Sequence, residues 1–154
     1  GGNPEVILIA SGSEVSLAVQ AHEQLLADGI RSRVVSMPSW DIFDHQTQEY
    51  RDSVLPPGVK ARVAVEQAST LGWERYVGDA GRVIGMRTFG ASAPLKELQR
   101  KFGFGPDRVV ATAKVVSAAA SGMSAVTTRS PAATSSMMCR SATSKPFGTC
   151  RARI

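Results

Sequence analysis

The chain has 154 residues, 43% of them hydrophobic and 20% charged, the composition of one ordinary globular domain. Its longest strongly apolar run, Val6-Ile7-Leu8-Ile9-Ala10, falls far short of the about 20 residues that span a bilayer, and no basic stretch precedes it, so neither a membrane span nor a signal peptide is expected. The net charge of +5 is unevenly placed: residues 1–111 carry 12 basic and 13 acidic side chains, whereas residues 112–154 carry 6 basic and no acidic ones, so specific nucleic-acid binding by the body is not expected.

Glu5–Ala10 is rich in β-branched residues and reads as a buried strand. Ser11-Gly12-Ser13 turns the chain, with Ser13 as helix cap and Glu14 in the first helical turn. Val15, Ala18, Val19, His22, Leu25 and Leu26 then mark one face of an amphipathic helix that Gly29 ends. Arg33–Ser36 is a second strand, closed by Pro38. Asp41 can cap a short helix through Asp44, and a second helical stretch passes Tyr50 and Val54 before Pro56-Pro57-Gly58. Ala61–Glu66 is a third strand, Trp73–Val77 a short helix and Val83–Gly85 a fourth strand. Ser92 can cap a helix with Pro94 in its first turn, a buried stripe of Leu95, Leu98 and Phe102, and Gly103 at its end. Asp107 can cap a last helix carrying Val109, Val110, Ala113 and Val116.

Alternating apolar strands and helices imply a mostly parallel sheet covered on both faces, with right-handed crossovers. Two unequal parts are expected: a body over residues 1–116 and a low-complexity basic tail over residues 117–154, dominated by Ala, Ser, Thr and Arg, with the composition of non-native or read-through sequence. Both cysteines, Cys139 and Cys150, fall in the tail, and whether they pair is open. The cysteine-free body suits a cytoplasmic protein.

Several stretches resemble transketolases of the bacterial and plant type. They include Ile9-Ala10-Ser11-Gly12-Ser13-Glu14-Val15, Arg33-Val34-Val35-Ser36-Met37-Pro38-Ser39-Trp40, Tyr50-Arg51-Asp52-Ser53-Val54-Leu55-Pro56, Ala61-Arg62-Val63-Ala64-Val65-Glu66 and Thr88-Phe89-Gly90-Ala91-Ser92-Ala93-Pro94. In order and spacing they are similar to the C-terminal domain of that family over about residues 4–116; Gln67 departs mildly, standing where the family has a small residue. The resemblance implies a doubly wound, mostly parallel five-stranded sheet with helices on both faces. It also implies a parent enzyme that moves a two-carbon ketol unit with thiamine diphosphate and Mg, held by two other domains at a dimer interface. For the domain itself it implies a structural, interaction or regulatory role, with no catalytic residue, cofactor or metal of its own, and with the remaining transketolase domains or a second copy as partner.

The residues agree with that expectation. Gly78-Asp79-Ala80-Gly81 lacks the glycine spacing and downstream Asn of a metal–diphosphate motif, and Glu66 ends a strand with nothing to place it over a pyrimidine. In a doubly wound sheet, ligands bind beyond the carboxyl ends of the strands, which points to Ser11, Gly12, Ser13, Ser36, Glu66 and Gln67. Free N–H groups near Ser13 could hold an anion there; the plainer reading is a turn and cap. Ser13 and His22 are the candidates for an alternative hydrolase of esters or lactones, although Ser11-Gly12-Ser13-Glu14-Val15 is no nucleophile elbow and His22 reads more simply as a packed histidine. His45 reads as solvated. Trp40, Trp73, Tyr76 and Phe89 are either ordinary core or a surface that other domains cover; in the second case the domain should self-associate.

Overall fold

The computed structural model describes residues 3–122, so Cys139, Cys150 and most of the basic tail lie outside the described residues. Four strands alternate with six helices: β1 (Val6–Ala10), α1 (Glu14–Ala27), β2 (Ser32–Ser36), α2 (Trp40–Asp44), α3 (Gln48–Val54), β3 (Arg62–Ser69), α4 (Glu74–Val77), β4 (Arg82–Met86), α5 (Leu95–Phe102) and α6 (Pro106–Ala120). The sheet order is β2-β1-β3-β4 and every pairing is parallel. It has four strands among the described residues, not five: the four β-branched runs each form one, and no other described segment joins them.

Strand β1 is the centre of the fold, and all five of its residues are fully buried. Its pleat sends Val6, Leu8 and Ala10 to one face and Ile7 and Ile9 to the other. The first set packs with Leu17, Ala18, Ala21 and Leu25 of α1 and with Val109, Val110, Ala113 and Val116 of α6. The second packs with Val35, Met37, Leu55, Ala64, Trp73, Tyr76 and Val77 on the opposite face. Each aliphatic side chain so buried contributes roughly 1.5–3 kcal/mol. Both faces are therefore covered, as the continuous apolar strands require.

The helix ends show where composition misleads. Gly29 (φ 79) ends α1 as expected: its N–H and that of Ile30 bond to Leu26 O and Leu25 O, a Schellman pair, and Ile30 packs on the core. Ser13, however, takes a helical conformation and makes no cap hydrogen bond, so it is not a working cap. Ser39 rather than Asp41 caps α2, accepting from Ile42 N at 3.3 Å, because Ser39 is the extended residue before the first turn. Likewise Thr47 caps α3 through Tyr50 N. Helix α5 begins after an extended Pro94, not under a Ser92 cap, and α6 begins after Gly105 with Pro106 first, leaving Asp107 inside the turn. Helix α6 also runs on to Ala120, four residues past Val116, since alanines sustain a helix without burying a face.

Two apolar stripes also shift. On α1 the buried apolar residues are Leu17, Ala18, Ala21 and Leu25, while Val19 and Leu26 are exposed. On α5 no residue is buried: Leu95 is exposed, and Leu98 and Phe102 are half-covered. No helix among the described residues is long and apolar enough to cross a membrane.

Candidate functional site

The C-terminal edge of the sheet is where the six candidate crevice residues were expected to meet. Ser11, just past β1, donates its hydroxyl to Glu66 Oε2 on β3 at 3.0 Å, and Glu66 Oε1 accepts from Ala68 N at 3.1 Å. Gly12 turns with φ +52, and the Glu14 carboxylate folds back so that Oε2 would lie 3.6 Å from a Cβ at Gly12. Ser13 donates to that same oxygen at 3.2 Å, and Glu14 is buried. The N–H of Glu14 is already used by Ser11 O, and that of Ser16 by Ser13 O. The start of α1 is thus occupied by the protein's own carboxylate, with a second one on the neighbouring strand. A helix N-terminus attracts negative charge, and here Glu14 supplies it. The Glu14 carboxylate thus lies where an anion near Ser13 would sit.

Ser36 and Gln67 flank these residues along the same edge. Ser36 lines an apolar groove of about 290 Å³ with Met37, Pro38, Ile42, Phe43 and Tyr50. Gln67 lines an open cleft of about 730 Å³ with Thr70, Met86, Thr88 and Phe89. The β3–β4 register shifts between Glu66 and Ser69, and Ser36 lies on β2 across β1 from β3. Ser36 pairs with Ala10 in the β1–β2 register and Gln67 follows Glu66, so the six residues share the C-terminal edge of the sheet while lining different depressions along it.

The hydrolase pair is not assembled. Ser13 precedes α1 and His22 lies nine positions on, roughly 13 Å along a helix axis. His22 is half-buried with Nδ1 2.6 Å from Ser32 Oγ, tying α1 to the start of β2, while Ser13 faces Glu14. His45 is exposed and has Nδ1 2.7 Å from Asp41 O in its own helix. Among the described residues no group of three His, Cys, Asp or Glu side chains could hold a metal ion.

The four aromatics divide. Trp73 and Tyr76 are buried, and Trp40 and Phe43 stack against them in a tilted and edge-on cluster with centroids 5.1–6.2 Å apart. Phe89 stands 99% exposed in a run from Arg87 to Glu97 that is exposed throughout. Sequence reading missed the polar side of the cluster: Asp44 accepts from the Tyr76 hydroxyl at 3.1 Å and pairs with Arg75 at 3.0 Å. Burial, then the hydrogen bond and charge of Asp44, push the Tyr76 phenol up to about 12, against a smaller opposing pull from Arg75. It also missed Arg62, whose guanidinium donates to Val59 O, Tyr76 O, Leu55 O and Pro56 O at 2.9–3.1 Å. Burial lowers its pKa from the ordinary value. No spacing rule links Asp44 to a tyrosine 32 residues on, so neither contact had a signal in the sequence.

Comparison with known proteins decides the family. The family described as "Transketolase-like TK C-terminal domain" matches residues 1–105. The chain belongs to the transketolase C-terminal domain family. It is 58% identical over 113 residues to transketolase 1 of Escherichia coli, covering 73% of this chain and 17% of that protein. Over 115 residues it is 51% identical to the transketolase of Geobacillus stearothermophilus, covering 75% of this chain and again 17% of the relative. Among solved structures, the transketolase of Leishmania mexicana superposes with a TM-score of 0.70 at 44% identity, over 76% of this chain and 17% of that one. A Pichia stipitis transketolase in complex with sedoheptulose 7-phosphate gives 0.73 at 40% identity, over 79% of this chain and 18% of that one. The chain thus spans about 17% of the length of the curated relatives it matches.

Membership makes the fit to thiamine diphosphate and Mg a question for the residues of this transketolase domain. The nearest sequence to a metal–diphosphate motif, Gly78-Asp79-Ala80-Gly81, is the tight connection from α4 to β4. Gly78 has φ 69 and accepts from Gly81 N at 3.2 Å. A Cβ at Gly81 would lie 2.5 Å from Val77 O and 2.8 Å from Arg62 O, so this backbone is packed against protein and leaves no cradle for a phosphate. These residues do not fit the cofactor.

Proposed function

We propose that this chain acts as a packing and docking domain of a transketolase, in a structural or regulatory capacity, and that it does not carry ketol transfer by itself. The supporting observation is the exposed Arg87–Glu97 run, with Phe89 at 99% exposure, next to a second loop whose Leu71 is 77% exposed. Thr70 and Phe89 line one cleft, so the two loops form a single surface at the C-terminal edge of the sheet. A fully exposed Phe in a Gly- and Ala-rich loop gains nothing from its solvated state, and burying it against another surface is favourable. The partner in this reading is the remainder of a transketolase or, failing that, a second copy of this chain. The cysteine-free body suits a cytoplasmic setting.

Ketol transfer from xylulose 5-phosphate to ribose 5-phosphate, assayed with the purified chain, thiamine diphosphate and magnesium, tests the first half. No turnover is expected, and clear turnover by the pure chain would overturn it. Sedimentation velocity of the chain and of Phe89→Ser tests the second. Concentration-dependent association that the substitution weakens is expected, and association indifferent to Phe89 would place the docking surface elsewhere.

A further inference from the structure

We infer that the cleft between the end of β4 and the corner joining α5 to α6 binds a small soluble phosphate compound. The cleft has a volume of about 450 Å³, in the range of small-ligand sites. Three cations from three different elements line it: Arg87 beyond β4, Lys101 in the last turn of α5 and Arg108 in the first turn of α6. No acidic residue lines it. The acids close by in sequence are Glu97 and Asp107, both exposed, and neither pairs with any of the three. Elsewhere among the described residues Arg31, Arg75 and Lys114 have each found a carboxylate. Three like charges facing one cleft repel, and a multiply charged oxyanion between them relieves that repulsion.

The donors are also held in place. Arg108 Nη1 donates to Phe102 O and Gly103 O at 3.0 and 3.3 Å, which fixes the guanidinium at the cleft wall and leaves further N–H groups free of those carbonyls. Lys101 Nζ lies 5.6 Å from the centre of the Phe102 ring, a cation–π contact that restrains its stem. Thr88 adds a hydroxyl to the same lining. A guanidinium fork, an ammonium and a hydroxyl are the donors that phosphate oxygens accept from.

An amide-resolved NMR titration of the full chain with inorganic pyrophosphate at fixed ionic strength tests this. Saturable shifts at Arg87, Thr88, Phe102 and Gly103 are expected. The double variant Arg87→Glu, Lys101→Glu should bind at least about tenfold more weakly, with the rest of its spectrum unchanged. Arg108 is retained because it closes the end of α5. Shifts that never saturate, shifts confined to residues 123–154, or equal affinity in the double variant would overturn the inference. So would affinity that rises steadily with the length of a single-stranded oligonucleotide titrated in parallel, which would make the surface a nucleic-acid one.

Discussion

Trp40 stands edge-on to Trp73, with ring centroids 5.1 Å apart and planes at 89°, and the backbone of Gly72 passes against the Trp40 ring. A Cβ at Gly72 would lie 2.7 Å from Trp40 Cζ3, in a backbone conformation with φ +88. Gly72→Ala should therefore cost about 2 kcal/mol or more, from the left-handed backbone together with the clash. Trp73→Ala, which empties the site of a fully buried indole, should cost about 3–5 kcal/mol. Urea midpoints measure both, and Phe89→Ala, a change at an exposed side chain, should stay within about 0.5 kcal/mol.

Tyr76 makes stability depend on alkaline pH. Its folded phenol is raised to about 12 from 10.0, so the fold favours the protonated form. The stabilisation linked to that proton is fully present below pH 10 and is lost as pH rises toward 12. Denaturation midpoints across this window should fall, and Tyr76→Phe should remove that part of the fall. Asp44→Asn should leave a smaller shift, because burial alone still raises the phenol.

Arg62 holds four carbonyls, those of Leu55, Pro56 and Val59 in the α3–β3 connection and that of Tyr76 in α4. Arg62→Met should cost about 3 kcal/mol, since carbonyls that shared a charged donor lose it together. Arg62→Lys should recover only part of this, because one ammonium cannot reproduce a planar fork. Chemical denaturation of the two variants side by side gives the difference.

Ser11→Ala removes the tie from β1 to Glu66 on β3 and should cost about 1 kcal/mol. With Glu14 and Glu66 at that edge, the same variant should gain no affinity for sulfate or phosphate there. Saturable anion-induced shifts at Gly12 and Ser13 would contradict the placement of the Glu14 carboxylate.

Much of the fold was legible because β1, β2, β3 and β4 each carry β-branched residues and Gly or Pro stands in every connection between a strand and a helix. Gly29 and Gly103 were legible as helix ends because a left-handed residue is needed there and glycine meets it without strain. The caps were less so. Asp41, Ser92 and Asp107 have the right chemistry, but which residue is extended depends on where the chain enters the first turn, and Ser39, Pro94 and Gly105 hold those positions, while Ser13 holds its position in a helical conformation without a cap bond. The α1 stripe was drawn one step off because Val19 and Leu26 outweighed the small Ala21, which is what lets α1 approach the sheet. The strand-end residues of the candidate crevice were legible because strand ends can be read from sequence, whereas the Ser11–Glu66 hydrogen bond and the Glu14 carboxylate beside Ser13 could not. The cluster of Arg87, Lys101 and Arg108 was invisible, since its members belong to three elements that meet only in the folded chain.

The parallel order β2-β1-β3-β4 has a consequence for synthesis. The strand that ends at the centre of the sheet precedes the other three described strands in the chain, and its partner β3 lies some 55 residues downstream, as the register of Ile7 with Arg62 shows. A nascent chain leaving the ribosome therefore carries one edge of Val-Ile-Leu-Ile-Ala unpaired until β3 has been made. Pairing with β2 alone covers one edge and leaves the other as a bare template for any neighbouring strand. Ribosome-bound intermediates halted before β3 should thus be the form most dependent on a holding chaperone, and release should coincide with the emergence of Ala61–Val65 from the exit tunnel.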